Sequence, residues 1–188
     1  MKKIPDNAIK VFEGVVFDVY HWPQEAFDGS FLTFEAIKKK DTVAVIAVCD
    51  GKIILNNEEQ PVIGTFVCIP SGMSEQGSSV TDNAERELLE ETGMVSDDWQ
   101  ELFVSEPIDH PKIDWKNYFY IARNCKKIAE QKLDPGENIQ VTFVTFEEFL
   151  EIRNNPKFRN KDLIPFLEKA ASNEEEKQKL KELLGVIT

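Results

Sequence analysis

Residues 72–94 read Gly72-Met73-Ser74-Glu75-Gln76-Gly77-Ser78-Ser79-Val80-Thr81-Asp82-Asn83-Ala84-Glu85-Arg86-Glu87-Leu88-Leu89-Glu90-Glu91-Thr92-Gly93-Met94. Ser79, with Asp82 three residues on, has the form of a capping box, and Gly93 after Thr92 is a stop signal, so a helix is predicted over Val80–Thr92. The small and polar residues from Gly72 to Ser78 predict a loop leading into it. On that helix Glu87, Glu90 and Glu91 stand at i, i+3 and i+4 and project from one side, while Ala84, Leu88 and Leu89 supply apolar packing. Three neighbouring carboxylates repel one another unless a cation compensates them, and a hard ion with oxygen ligands, such as magnesium, is the natural compensator. A solvated face is the ordinary reading of helical glutamates in an acidic chain. Gly72, Gly77, the Ser79 cap and Gly93 weigh against it here, because they tie loop, helix and loop into one specified unit.

Working outward, the first half carries antiparallel hairpin grammar. Val11–Tyr20 and Phe31–Lys38 bracket a turn at Asp28-Gly29-Ser30, and Thr42–Val48 and Lys52–Asn56 bracket Asp50-Gly51. Thr65–Ile69 is a further strand run, ending at Pro70-Ser71-Gly72. After the helix, Trp99–Ser105, Trp115–Arg123 and Asn138–Phe143 read as strands, the last preceded by an Asp134-Pro135-Gly136 turn. Helical spacing then takes over in Phe146–Ile152, Leu163–Ala171 and Glu174–Leu184. No repeat or low-complexity linker divides the chain.

The 188 residues suit a single domain, and a formal charge of -12 opposes binding of polymeric nucleic acid through a basic face. A phosphate ester would need cations to mediate its binding. No apolar run approaches membrane-helix length, and the first residues, Met1 to Asp6, lack the apolar stretch of a secretory signal, so a cytoplasmic protein without membrane contact is expected. Cys49, Cys68 and Cys125 lack metal or redox spacing and read as reduced packing residues. His21 and His110 show no ligand spacing.

The fixed residues of 72–94 resemble the Nudix family, whose box reads G-x5-E-x7-R-E-U-x-E-E-x-G-U with U aliphatic. Gly72 matches, Ser78 stands where the first glutamate is expected, and Arg86-Glu87-Leu88-Leu89-Glu90-Glu91-Thr92-Gly93-Met94 keeps its spacing. The resemblance implies an α/β fold, an α/β/α sandwich with a mixed sheet, N-terminal antiparallel strands and C-terminal helices. It implies one Nudix domain over 1–188, with a strand extension at 1–40, a core at 41–155 and a helical tail at 156–188. It further implies that Glu87, Glu91 and the main-chain carbonyl of Ser71 hold magnesium, with manganese as an alternative, that Glu90 assists them, and that Arg86 orients the glutamates. The general base is expected after the box, and Glu137, on the turn entering a strand, is the candidate.

Beyond the box, Phe12-Glu13-Gly14-Val15-Val16-Phe17-Asp18-Val19-Tyr20, Pro70-Ser71-Gly72 and the segment 133–149 are similar to ADP-ribose pyrophosphatases. That similarity implies hydrolysis of ADP-ribose or another nucleotide sugar, a small-molecule nucleotide substrate, and a homodimer paired through the early strands. Two departures keep alternatives open. Ser78 cannot supply a glutamate's charge, although Glu75 lies three residues earlier, and Asn56-Asn57-Glu58-Glu59-Gln60-Pro61 lacks the phosphate-binding arginine those enzymes carry in a Gln-x-Arg stretch. A nucleoside triphosphate pyrophosphatase and a weakly active nucleotide-binding module are the other readings.

Overall fold

Side chains two apart on a strand share a face, and three strand runs of this chain alternate between two different apolar layers. The computed structural model describes residues 3–75, 77–107 and 109–186. In chain order its elements are β1 (Ile9–Glu13), β2 (Phe17–Glu25), β3 (Phe31–Lys39), β4 (Thr42–Cys49), β5 (Lys52–Gln60), β6 (Gly64–Cys68), β7 (Ser71–Met73), α1 (Val80–Thr92), β8 (Met94–Val95), β9 (Asp98–Ser105), β10 (Ile113–Asp114), β11 (Asn117–Arg123), β12 (Lys126–Lys127), β13 (Asn138–Val144), α2 (Phe146–Glu151), α3 (Ile164–Ala171) and α4 (Glu174–Leu184).

The main sheet runs β13-β5-β4-β11-β9, with β6 joined to β5 and β7 to β4. It is mixed, since β4 and β11 are parallel while the other pairs are antiparallel. Ala44, Ile46 and Val48 of β4, Ile53 and Leu55 of β5, and Phe119 and Ile121 of β11 pack with Phe149, Leu167, Leu180 and Leu184 of α2, α3 and α4. Their alternates Val43, Val45, Ala47, Ile54, Tyr120 and Ala122 pack with Ala84 and Leu88 of α1. Helices therefore cover both faces, in the α/β/α sandwich expected from the sequence. Leu88 is fully buried, a burial that contributes about 1.5–3 kcal/mol.

A second sheet, β1-β2-β3-β10, is built mainly from the N-terminal strands. Here the structure departs from the sequence reading, because the run Val11–Tyr20 is two antiparallel strands, not one. Gly14 permits the reversal: a Cβ there would come within 2.4 Å of the Phe17 carbonyl oxygen. The predicted strand Trp115–Arg123 begins only at Asn117, and Trp115 instead lies under the Lys39 ammonium, 4.2 Å from its ring centre. Among the described residues no helix is long and apolar enough to cross a membrane, and all three cysteines are free thiols.

Candidate functional site

The apolar stripe of α1 sets its carboxylates against the sheet. Ala84 and Leu88 dock on the β4–β11 face, and one turn along the same side Glu87 and Glu91 are carried inward with them, 9% and 2% exposed. Leu89, grouped with that stripe in the sequence reading, is only half-buried. The capping box at Ser79 and the left-handed Gly93 at the C-terminus fix both helix ends where the sequence placed them.

Glu91 accepts hydrogen bonds from the Asn56 side-chain amide at 2.8 Å and from the Ser71 N–H at 2.9 Å. Glu87 lies directly on the backbone of Gly72, where an added Cβ would come within 2.2 Å of its carboxyl group. The glycine is thus explained by close approach of a carboxylate. Arg86 donates to Glu87 and to Glu90, each at 2.7 Å, and to the Met73 carbonyl at 3.0 Å, so one guanidinium joins two glutamates to the preceding loop. Glu75 stands 3.9 Å from the same guanidinium. Ser78 is exposed and does not border the cavity described next.

A cavity of about 720 Å³ is bordered by each residue to which the resemblance gives a metal or catalytic role: Ser71, Arg86, Glu87, Glu90, Glu91 and Glu137. Burial pushes the Glu87 carboxyl up to about 7 despite Arg86 beside it. Burial, then repulsion from Glu87, also raises Glu91 well above the usual carboxylate range. Glu137 is also raised, chiefly by burial, while the Asp134 N–H of its own turn donates to it at 3.2 Å and opposes the shift.

The donors fit a hard divalent cation. They are carboxylates and main-chain oxygens, and their raised protonation shows negative charge crowded into a poorly solvated place, which a cation would relieve. Asn56 adds a buried side-chain oxygen without a partner, next to the amide that holds Glu91. Among the described residues no three acidic side chains already converge on one point, since Glu87 and Glu90 turn to Arg86 and Glu91 turns to Asn56 and Ser71.

Sequence reasoning missed Asn56 and Glu58. Strand alternation was the available signal: Ile54, Asn56 and Glu58 share one face of β5, and two polar residues continuing a buried apolar face call for polar partners. Glu58 is 6% exposed, meets the Gln60 amide and the Cys68 thiol, and borders the same cavity.

Comparison with known proteins bears on the family and the fold. The family model described as the NUDIX domain matches residues 38–167. The chain is 32% identical over 160 residues to the ADP-ribose pyrophosphatase of Bacillus subtilis (strain 168), covering 81% of this chain and 85% of that protein. It is 29% identical over 158 residues to the methanol dehydrogenase activator of Bacillus methanolicus, covering 80% and 84%. A crystal structure of an ADP compounds hydrolase superposes with a TM-score of 0.72 over the whole of both chains at 18% identity, a likeness of fold.

Proposed function

From the premise that this chain belongs to the Nudix family and is a hydrolase of it, we propose that it splits a nucleoside diphosphate linked to a further group. ADP-ribose or another nucleotide sugar is the substrate, and a nucleoside monophosphate and a sugar phosphate are the products. The observation that carries the reading is the buried pair Glu87 and Glu91, held by Arg86, Asn56 and Ser71 at a cavity large enough for a nucleotide. The name of the Bacillus subtilis relative supports the choice of ADP-ribose.

In this reading Glu87, Glu91, Glu90 and the main-chain carbonyl of Ser71 hold magnesium, or manganese in its place. When bound, such an ion supplies neutralisation of the diphosphate and polarisation of a phosphorus–oxygen bond. Arg86 orients Glu87 and Glu90 and limits their repulsion. Glu137 takes the proton of a water that attacks phosphorus as the anhydride bond breaks, and burial raises its affinity for protons, the direction that strengthens a base. The catalytic core is residues 41–155, with 1–40 as an extension and 156–188 as a helical tail. A homodimer through the N-terminal sheet and a cytoplasmic setting, consistent with three free thiols, complete the proposal.

The test is a panel of ADP-ribose, other nucleotide sugars, dinucleotides and nucleoside triphosphates, incubated with magnesium and read by release of phosphatase-sensitive product. Turnover of nucleotide sugars is expected, and its loss in Glu91→Gln. Turnover unchanged in that variant would overturn the site, and turnover confined to triphosphates would overturn the substrate class. The exposed Ser78 keeps a second reading in the panel: stabilisation by nucleotides with no turnover would mark a binding module.

A further inference from the structure

The same cavity is bordered by cations that none of the roles above employs. Lys39, at the end of β3, and Arg159, in the segment between α2 and α3, both border it. Phe158 is completely buried and anchors that segment, and the Arg159 N–H donates to the Val67 carbonyl at 2.8 Å while the Val67 N–H donates to the Lys157 carbonyl at 3.0 Å. The Asn160 side chain accepts from the Ile69 N–H at 3.0 Å, completing a clamp of residues 157–160 along β6. The backbone on either side of the Arg159 side chain is therefore fixed.

The guanidinium of Arg159 rests 4.6 Å from the centre of the Phe66 ring, and the ammonium of Lys39 rests 4.2 Å from that of Trp115. Among the described residues neither cation has an ion pair, although the chain carries 34 acidic residues against 22 basic ones. Both side chains border the one cavity, and burial, then Arg159 itself, lowers the Lys39 ammonium below its usual range. Two unneutralised cations set on aromatic faces at the border of one cavity leave their donor groups available to an anion. The β5–β6 hairpin, meanwhile, offers Asn56-Asn57-Glu58-Glu59-Gln60-Pro61 and no arginine.

We propose that Arg159 and Lys39 form the anion-binding wall of the site, taking the non-bridging oxygens of the substrate's diphosphate. The inference rests on the diphosphate reading given above. Arg159 supplies a planar fork for two oxygens, and Lys39 supplies a point charge strengthened by partial burial. The substrate is then held between a carboxylate-bound cation and two side-chain cations, and the specificity is for a group bearing at least two adjacent phosphates.

The experiment titrates wild type, Arg159→Gln, Arg159→Lys and Lys39→Met with methylenediphosphonate, a diphosphate that cannot be hydrolysed, by calorimetry with magnesium present. Thermal unfolding of each variant is recorded beside it. Arg159→Gln and Lys39→Met are each expected to weaken binding roughly tenfold or more, and Arg159→Lys to fall between, with unfolding temperatures near that of wild type. Should Arg159→Gln fail to fold, Lys39→Met carries the same expectation. Binding within twofold of wild type in a folded Arg159→Gln or Lys39→Met, or no binding by wild type, overturns the wall. Nucleotide-sugar turnover with an unchanged KM in Arg159→Gln would sink this inference and leave the proposed function standing, whereas silence of wild type across the substrate panel would sink the function.

Discussion

At the scale of single residues, Gly72 and Glu87 are one feature. A Cβ at position 72 would meet the far end of a flexible side chain, so Gly72→Ala relieves the clash by moving Glu87 and not by moving the fold. Its expected signature is a stability loss of about 1 kcal/mol or less with a large loss of turnover, seen by comparing urea unfolding with nucleotide-sugar hydrolysis. A large loss of stability with turnover retained would contradict that account. Glu87 also carries a pH effect. Its folded-state pKa is raised to about 7, above the ordinary 4.5 of an unfolded glutamate, so the folded state binds more protons between those values and the metal-free protein loses stability as pH rises from 4.5 through 7. Glu87→Gln lacks this dependence. Unfolding temperatures in chelator should therefore favour Glu87→Gln over wild type increasingly from pH 5 to pH 8; a difference that stays flat or shrinks with pH would refute it. Both residues were legible from the fixed spacing around them. The steric reason for Gly72 was not, because nothing in a one-dimensional spacing says that a carboxylate fifteen positions on will lie against that backbone.

At the scale of elements, α1 was legible because both of its ends are chemically marked, and the structure reproduces Val80–Thr92 with the capping box and the left-handed Gly93. The two ends differ in what depends on them. Ser79 and Asp82 exchange hydrogen bonds locally, and Ser79→Ala should cost about 1 kcal/mol. At Gly93, φ is 73°, and a Cβ would come within 2.0 Å of the Ala129 carbonyl oxygen. That atom belongs to a strap whose Ile128 and Ala129 N–H groups donate to the Gly93 carbonyl, and whose Lys132 N–H and Gln131 side chain donate to the carbonyls of Glu90 and Glu91. Gly93→Ala must displace backbone and should cost about 2 kcal/mol or more, with a clear loss of turnover because the strap leads on to Glu137. Urea midpoints that rank Ser79→Ala as the more damaging change would overturn this ordering. Elements without marked ends were the ones missed. β7, β8, β10 and β12 have two or three residues each, too few to show a period. The Val11–Tyr20 run hid a reversal because its apolar residues continue straight through Gly14.

At the scale of the whole molecule, the layered fold was legible through the resemblance that the box spacing carries, while the cationic side of the site was not. Lys39 and Arg159 lie on either side of the box, far from it in sequence, and only the packing of residues 157–160 along β6 brings Arg159 to the cavity. The N-terminal sheet presents the opposite case, a face whose apolar residues stay exposed in the single chain. Strand register and period two place Ile9, Phe12, Phe17 and Phe31 on one face of β1-β2-β3, with exposures of 69%, 60%, 44% and 68%. Leu32 and Phe34 are exposed on the opposite face of the same sheet. On a chain of charge -12 the exposed apolar residues Ile9, Phe12, Phe17 and Phe31 are the surface the proposed homodimer would bury, since apolar area left in water costs about 25 cal/mol per Å² relative to burial. A second copy fits it without requiring a partner of opposite charge, because a two-fold axis sets the same apolar face against itself. Sedimentation velocity should give twice the chain mass for wild type and the chain mass for Phe12→Glu/Phe31→Glu, with circular dichroism unchanged. If the wild type sediments as a single chain at micromolar concentration, the sheet is not a homodimer interface; if the double variant remains dimeric, two copies meet through another face.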